Sequence, residues 1–450
     1  MAVQVMKNEN AYATAFREAM QTRQAIEPSW LGRLREESFG KFERSGFPAV
    51  QEEDWKYTNV SAIARTKFAP VLARNGARAD SDWLASLDYE ETHNSRAVFL
   101  NGIFQPDLSS LATLPKEVVL MELGEALVND QHAELVRKYL ERESQPDESG
   151  FTTLNTALFS SGLFLKIPRG LQVETPVHLL FVGQADHEGV RPAAFPRVLI
   201  IGEENSSATI IESYASPGDD IYLTNVIMDV VLGDGARVEH YKVQRESMNA
   251  FHVATTRADL GPNSIYNTTA INFGAALSRH NIDVRMDREG AECFVDGLYM
   301  LDGTQHSDTH SVIDHRQPRC RSHQLYKGIL DGKSRAVFNG KVFVRHGAQQ
   351  TDARQTNKNL LLSKEARVDT KPQLEIFADD VKCTHGAAIG QLEEDEVFYL
   401  ESRGLRPELA RNLLTYGFAE EVIEKIKIDS IRKELDAAVL NRLQVDLDVR

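Results

Sequence analysis

The centre of the chain alternates short apolar runs with polar turns at a nearly constant spacing. In each repeat a small residue follows a turn-like pair or triple, as Ala236 follows Asp234-Gly235. Successive positions are 28, 28, 27, 29 and 28 residues apart, and they are Ala208, Ala236, Ser264, Ala291, Cys320 and Ala348. Self-similarity at this period is typical of stacked repeat units.

The runs between these positions indicate β-strands, for example Ile221–Leu232 and Val238–Val243. Asp331-Gly332 and Asn339-Gly340 predict turns between strands. A unit of this size cannot bury its own apolar face, whereas stacked units share one core and accept small residues at tight corners. We therefore predict a mainly β fold with a coiled β-solenoid over residues 200–385. An ordinary β-sandwich with evenly spaced strands is the alternative.

Helical patterns flank this centre. Tyr12, Phe16 and Met20 recur every four residues and predict helix within residues 1–45. Val118 to Leu140 is a further helical candidate, and some strand is predicted near Arg96–Phe99. The pattern changes to mainly short strands from residues 163–167 onward. We predict an α-rich N-terminal domain at 1–150, a solenoid domain at 151–392 and a helical domain at 393–450.

In the C-terminal part, Gly and Pro divide the predicted helices. The pattern predicts helices at 393–403 and 408–416, the second opened by Pro407 and ended by Gly417, and a third helix that begins at Phe418. Five apolar residues form a stripe in this part: Leu409, Leu413, Phe418, Val422 and Ile426. This stripe is either the core of a small helical cap or a surface that docks a partner.

Composition narrows the function. The 450 residues carry a net charge of −15, with no basic stripe, which argues against binding to nucleic acid or to anionic membranes. The first residues have no apolar signal core, and apolar runs fall far short of a membrane span, so we expect a cytoplasmic protein. The three cysteines, Cys293, Cys320 and Cys383, have no C-x-x-C spacing and predict neither disulfides nor a self-contained cluster site.

Gly328-Ile-Leu-Asp-Gly332-Lys-Ser resembles a phosphate-binding loop, but three residues separate its glycines where that motif needs four. An Asp-Gly turn between strands also presents no helix N-terminus to a phosphate. We therefore expect no ATP binding by this chain.

Cys383 and His385 lie two residues apart near the end of the last predicted strand and would point to the same face. Thiolate and imidazole are good ligands for iron, copper or zinc. On spacing alone, a half-buried cysteine beside a solvated histidine is the favoured interpretation.

His306, His310 and His315 form the densest histidine group. They could bind a metal, but we do not expect intervals of four and five residues to put them on a shared strand face, and turn or surface positions are favoured. Cys293 and Cys320 are predicted to be packing residues.

Longer motifs resemble the SufB/SufD family, which supplies scaffold subunits for iron–sulfur cluster assembly. The similarity covers most of the chain. It is carried by Phe47-Pro48, Glu53-Asp-Trp-Lys-Tyr-Thr58, Arg335-Ala-Val-Phe-Asn-Gly-Lys-Val-Phe-Val344, Asn359-Leu-Leu-Leu-Ser363, Thr370-Lys-Pro-Gln-Leu-Glu-Ile376, Ala378-Asp-Asp-Val-Lys-Cys383, His385-Gly386, Tyr399 and Ser402-Arg-Gly404.

Within the family the chain is similar to SufD. SufB-type chains carry a cysteine where this chain has Ala366, and a His-Glu pair where it has His385-Gly386.

The resemblance implies a right-handed parallel β-helix between helical N- and C-terminal regions. It implies pairing with SufB through the solenoid and binding of a SufC ATPase by the C-terminal helices, so that this chain is a scaffold and not an enzyme by itself. It also implies that a transient iron–sulfur cluster or iron is handled at the SufB–SufD junction, with His385 as the SufD-type histidine and Cys383 beside it. A flavin bound by the complex stays open.

Two alternatives belong to other classes. One is a homodimeric solenoid that stores or traffics iron. The other is a solenoid enzyme acting on acidic polysaccharide, for which paired carboxylates on adjacent coils are needed; Asp287 and Asp314, 27 residues apart, are candidates.

Overall fold

The computed structural model describes residues 2–23, 26–74, 79–142, 149–185 and 189–443. The helices are α1 Ala2–Arg23, α2 Ser29–Ser45, α3 Ser61–Arg65, α4 Ser81–Ala85, α5 Leu123–Ala126, α6 Ala133–Leu140, α7 Gly150–Leu158, α8 Glu394–Ser402, α9 Pro407–Ile423 and α10 Asp429–Arg442, with 3-10 turns at Glu53–Trp55, Glu90–Thr92 and Pro106–Leu108.

The strands run from residue 69 to residue 390. They are β1 Ala69–Pro70, β2 Arg96–Leu100, β3 Ile103–Phe104, β4 Val119–Glu122, β5 Gly162–Ile167, β6 Val177–Val182, β7 Pro192–Ala194, β8 Arg197–Gly202, β9 Ser207–Ala215, β10 Leu223–Leu232, β11 Arg237–Arg245, β12 Phe251–Leu260, β13 Ile265–Asn272, β14 Leu277–Met286, β15 Glu292–Leu301, β16 His306–His315, β17 Arg321–Leu330, β18 Arg335–Val344, β19 Thr351–Leu361, β20 Arg367–Ile376 and β21 Val381–Gly390.

The strands alternate between two sheets. The first sheet runs in the order β4, β5, β8, β10, β12, β14, β16, β18, β20. The second sheet runs in the order β3, β2, β6, β9, β11, β13, β15, β17, β19, β21. From β5 onward, neighbouring strands within each sheet are parallel. The chain therefore coils, each coil adding one strand to each sheet, and the predicted parallel β-solenoid is confirmed.

The 28-residue period corresponds to a stacked column of turns. Asn205, Gly235, Asn263, Gly290 and Arg319 all have positive φ, between 52° and 72°. The backbone N–H of each donates to a carbonyl of the next coil, as Gly235 N–H does to the Pro262 carbonyl at 2.8 Å. The small residues of the 28-residue repeat, from Ala208 to Ala348, lie next to this column. Each is at most 5% exposed, because the tight corner directs its side chain into the core.

Asn339-Gly340 does not form the predicted turn. It lies inside β18, where Gly340 faces the lumen between the two sheets. A Cβ on Gly340 would lie 2.3 Å from the side-chain nitrogen of Gln355 on the opposite sheet. This glycine is therefore needed for close packing across the lumen, a role that local turn statistics do not show. Asp331-Gly332 does form a turn, with Gly332 at φ 59°.

The lumen also contains buried charges. Glu212 accepts hydrogen bonds from His240 Nε2 at 2.8 Å and from Lys242 Nζ at 3.3 Å. Lys242 Nζ lies 3.0 Å from His252 Nε2, whose ring contacts Glu246. Burial disfavours ionisation of Glu212, but Lys242 and His240 outweigh burial and hold its pKa far below the usual value.

The C-terminal helices cover the outer face of the second sheet. Val422, Ile426, Ile431 and Leu435 are buried there against solenoid residues such as Tyr241. Lys425 also pairs with Asp296 of β15 at 2.7 Å. The predicted helix boundary at Gly417 is wrong: α9 continues through it to Ile423, and the third helix begins at Asp429. Packing of the helix on the sheet outweighs the roughly 1 kcal/mol cost of an interior glycine.

The N-terminal region extends and covers the solenoid. β2 adds to one sheet in parallel, and β4 adds to the other in antiparallel orientation. The predicted helix from Val118 to Leu140 is therefore partly wrong, since Val119–Glu122 is a strand and helix is present only in α5 and α6. The apolar Val119–Met121 segment packs against the first sheet, and this tertiary contact decides its conformation. In the described part of the chain no helix is both long and apolar enough to span a membrane.

A buried ion pair holds the segment 53–58 on the first sheet. Arg279 Nη1 donates to Asp308 at 2.5 Å and to the Asp54 carbonyl at 2.9 Å, and its guanidinium stacks 4.2 Å from the centre of the Trp55 ring. The Thr58 hydroxyl donates to the same Asp308 carboxylate. The motif at 53–58 therefore anchors the N-terminal region to the solenoid.

We predict that Asp308→Asn destabilises the fold by about 3–5 kcal/mol, because it leaves the Arg279 charge buried without a counter-charge. Asp287→Asn removes an exposed carboxylate paired with Arg316 and should cost at most about 1 kcal/mol. Urea unfolding of both variants measures the difference.

The penalty should also depend on pH. Burial acts to raise the Asp308 pKa, but Arg279 and His310 outweigh burial and hold it far below the usual value. The stabilisation is therefore complete above the unfolded-state pKa of about 3.9 and is lost as the pH falls below it. A penalty that is already absent at pH 6 would contradict this assignment.

Candidate functional site

The two sheets end side by side at β20 and β21. Each of these ten-residue strands pairs with one neighbour, β18 and β19 respectively. Most β21 residues are exposed, and β20 residues are mostly half-buried. An uncovered strand edge offers free N–H and C=O groups to another chain. The C-terminal end of the solenoid is therefore open in the described structure.

Cys383 and His385 lie on β21, on the face that continues the lumen. They are in register with Ala353 and Gln355 of β19. Cys383 is half-buried and packs against the solenoid core, whereas His385 is exposed. A thiol and an imidazole are thus adjacent on the uncovered coil.

The Cys383 thiol is not activated in the isolated chain. Burial raises its pKa, and the nearby Asp352 carboxylate acts in the same direction. The thiol is therefore neutral at pH 7, and metal binding would require loss of its proton.

The donor set at the open end is small. In the ranges that the structure describes, no group of three or more His, Cys, Asp or Glu side chains is arranged to hold a metal. Iron–sulfur clusters are usually held by four protein ligands. Cys383 and His385 can therefore provide at most half of such a ligand set, and the other half would have to come from another chain.

Exposed apolar side chains also lie on the last coil. Ile376, Phe377 and Ile389 are 40%, 48% and 46% exposed at the ends of β20 and β21. Ile376 is in register with Val344 of the preceding coil, which is fully buried, so a position that is buried there is exposed here. Ile376 and Phe377 are adjacent in the chain, and neighbouring exposed apolar side chains are typical of protein–protein interfaces.

The histidine group is not at this end, and the expectation of turn and surface positions is wrong. His306, His310 and His315 all lie on β16. An interval of four returns to the same strand face, so His306 and His310 both flank Asp308, with His310 Nε2 3.2 Å from its carboxylate. His315 faces the lumen, where burial lowers its pKa to about 4 and Ser322 Oγ lies 2.8 Å from its Nε2. These histidines support the fold and the anchored motif.

Cys293 and Cys320 are confirmed as packing residues, since both are fully buried in the solenoid core. Asp287 and Asp314 do not form a free carboxylate pair. Arg316 contacts both, at 3.0 Å and 2.7 Å, and Arg345 also pairs with Asp314 at 2.8 Å, so both carboxylates are held in ion pairs.

The apolar stripe of the C-terminal helices is divided by burial. Val422 and Ile426 are buried against the solenoid, while Leu409, Leu413 and Phe418 are half-buried. Two other apolar side chains are more accessible: Phe398 and Tyr399 of α8 are 69% and 57% exposed. Tyr399 belongs to one of the family motifs, whereas Phe398 is not predicted from the sequence, although the aromatic pair follows the acidic run Glu393–Glu396 after a single valine.

Two family models match the chain. The model for the SUF system FeS cluster assembly SufBD core domain matches residues 181–418, and the model for the SufBD protein N-terminal region matches residues 6–179.

Curated relatives agree with these models. An iron–sulfur cluster assembly SufBD family protein of Synechocystis is 38% identical over 402 residues, covering 87% of this chain and 86% of the relative. The iron–sulfur cluster assembly protein SufD of Escherichia coli is 30% identical, covering 89% and 90%. SufD of Bacillus subtilis is 28% identical, covering 93% and 95%.

The chain belongs to the SufB/SufD family of β-solenoid proteins. It acts in iron–sulfur cluster assembly by the SUF system, and its similarity to SufD of two bacteria agrees with the SufD-type features of its sequence.

We predict that iodoacetamide modifies Cys383 alone in the native chain, and more slowly at pH 7 than it modifies free cysteine. Cys293 and Cys320 are fully buried, and the raised pKa of Cys383 leaves little thiolate. The rate should keep rising with pH beyond 9. Mass spectrometry of the labelled peptides measures it, with Cys383→Ser as control. Rapid labelling at pH 7 would instead indicate a thiolate stabilised by a protonated His385.

Proposed function

We propose that this chain is the SufD-type scaffold subunit of a SUF complex and that it pairs with SufB through the open end of its solenoid. The observation that carries the proposal is the conjunction of two uncovered ten-residue strands, exposed apolar side chains and an incomplete pair of metal donors at one place.

Strand addition gives this pairing its physical basis. The free edges of β20 and β21 would form backbone hydrogen bonds with strands of SufB, while Ile376, Phe377 and Ile389 supply apolar area. The two solenoids would then continue one another, and the junction would bury His385 and Cys383.

The chemistry of the junction is divided between the subunits. His385 offers an imidazole to iron, and SufB supplies thiolate and carboxylate ligands. Cys383 is a second donor once its proton is lost. Iron and sulfide are substrates that enter the junction and leave it as a cluster, so the scaffold provides ligands and does not act as an enzyme by itself.

The energy for opening the junction would come from a SufC ATPase docked on the C-terminal helices. Val422 and Ile426 hold these helices on the solenoid, so they transmit force and do not themselves touch SufC. We place the contact with SufC on Phe398 and Tyr399. Leu409 and Leu413, nearby in the chain, would extend this contact. When two SufC subunits dimerise on ATP, α8 to α10 would move with them and shear the junction.

We predict that His385→Ala leaves the complex with SufB and SufC intact but lowers cluster formation in cells at least about tenfold, since one ligand to iron is lost. Thr384→Ala, one residue away on the opposite face of β21, is the matched control. Normal cluster formation in an intact His385→Ala complex would overturn the role of His385.

We predict that Ile389→Asp separates SufB from this chain while SufC stays bound, because the carboxylate would have to be buried at the apolar junction. Val50→Asp changes an apolar residue of similar exposure far from the open end in sequence and should not affect pairing. Affinity purification followed by quantification of the subunits measures both. Loss of SufC together with SufB, or a purified homodimer that holds iron without either subunit, would favour the iron-trafficking alternative.

A further inference from the structure

Side-chain hydrogen bonds form a short chain through the lumen toward the open end. Gln355 Nε2 donates to Gln324 Oε1 at 2.8 Å, and Gln324 Nε2 donates to Ser311 Oγ at 2.8 Å. All three side chains are at most 2% exposed. Gln324 and Gln355 occupy the same register position on consecutive strands of the second sheet. Gln324 is thus held by Ser311 of the opposite sheet, and Gln355 is held by Gln324 of the coil before it.

The last amide of this chain has an unused acceptor. Gln355 Oε1 is buried and has no hydrogen-bond partner among the residues that the structure describes. Leaving a buried acceptor without a partner costs about 1–3 kcal/mol. The amide cannot turn away freely, because its nitrogen is bonded to Gln324 and fits over Gly340, where a Cβ would lie only 2.3 Å away. The oxygen therefore stays available to the next coil.

The residue in register with Gln355 on the next coil is His385. Neighbouring strands lie about 4.8 Å apart, so a rotation of the imidazole brings a ring nitrogen within hydrogen-bond distance of the amide oxygen. Nδ1 is the ring nitrogen closer to the backbone and hence to this neighbour, whereas Nε2 extends away from it.

We propose that Gln355 is a positioning residue for His385: its Oε1 accepts a hydrogen bond from Nδ1–H and leaves the Nε2 lone pair directed out of the open end. Histidines that bind metals usually donate their other N–H to such an acceptor, which fixes the tautomer and the ring orientation. The tautomer claim stands on the geometry of this chain, and the consequence for iron rests on the proposed function.

Ring-15N-histidine NMR of the purified full chain at pH 8 tests the tautomer directly. The signal of His385 is identified by its loss in His385→Gln. We expect the Nδ1–H form to predominate in the wild type, and the Nε2–H form, which is the major form of a free neutral histidine side chain, to predominate in Gln355→Met. Gln355→Glu keeps an acceptor oxygen and should keep the Nδ1–H form. Thr356→Val, on the opposite face of β19, should leave the signal unchanged.

A wild-type spectrum already dominated by Nε2–H would overturn the proposal, whatever the variants do. So would a Gln355→Met spectrum identical to the wild type. If Gln355→Met does not fold, the wild-type spectrum still tests the proposal, because a predominant Nε2–H form overturns it.

Iron binding separates this inference from the proposed function. In the SUF complex that contains this chain, Gln355→Met should weaken Fe2+ binding about tenfold and Gln355→Glu should restore it. A shifted tautomer combined with normal cluster formation in His385→Ala would support the positioning role of Gln355 and refute the function proposed for His385. An unshifted tautomer would refute the positioning role even if His385 binds iron.

Discussion

The structure depends on one constraint: each coil of a parallel solenoid satisfies its backbone only by hydrogen bonding to the coils on either side. The column of positive-φ turns from Asn205 to Arg319 keeps the coils in register, and the small residues that follow the turns let them stack closely. Helices can cover the outer faces of both sheets, but nothing on a face can satisfy the last strands. The constraint therefore leaves β20 and β21 with backbone groups on one edge that no strand of the described structure pairs.

Polar groups in the lumen add specificity to this stacking. Lys242 among Glu212, His240 and His252 gains little net stability, because removing charges from water costs about as much as their pairing returns. A coil shifted by one residue would separate these groups and leave them unpaired. The Gln324 and Gln355 amides have the same effect nearer the open end. The interior thus favours one register over others that bury similar apolar area.

The sequence was sufficient for the repeat and for the face shared by Cys383 and His385, because both follow from local rules: small residues at corners and alternation along a strand. It was not sufficient where tertiary contacts decide. Gly417 ends no helix because α9 is packed on the sheet, and Gly340 makes no turn because Gln355 needs its space. The expectation for the histidines of β16 was wrong because an interval of four residues does return to the same strand face, as His306 and His310 show. The apolar stripe of the C-terminal helices is compatible with a core and with a docking surface. The sequence therefore did not predict that Val422 and Ile426 are buried against the solenoid.

The two ends of the solenoid differ in a way that limits how far such proteins can assemble. At the N-terminal end, β3 turns back antiparallel on β2 and β4 runs antiparallel to β5, so that end does not present parallel edges for another coil. The opposite end does. If a chain joins a similar chain only through the open end, the open ends of both chains are used in the contact, and the pair has no open end left. Assembly through the open end alone would therefore stop at two chains and would not continue into the fibres that uncovered strands can form.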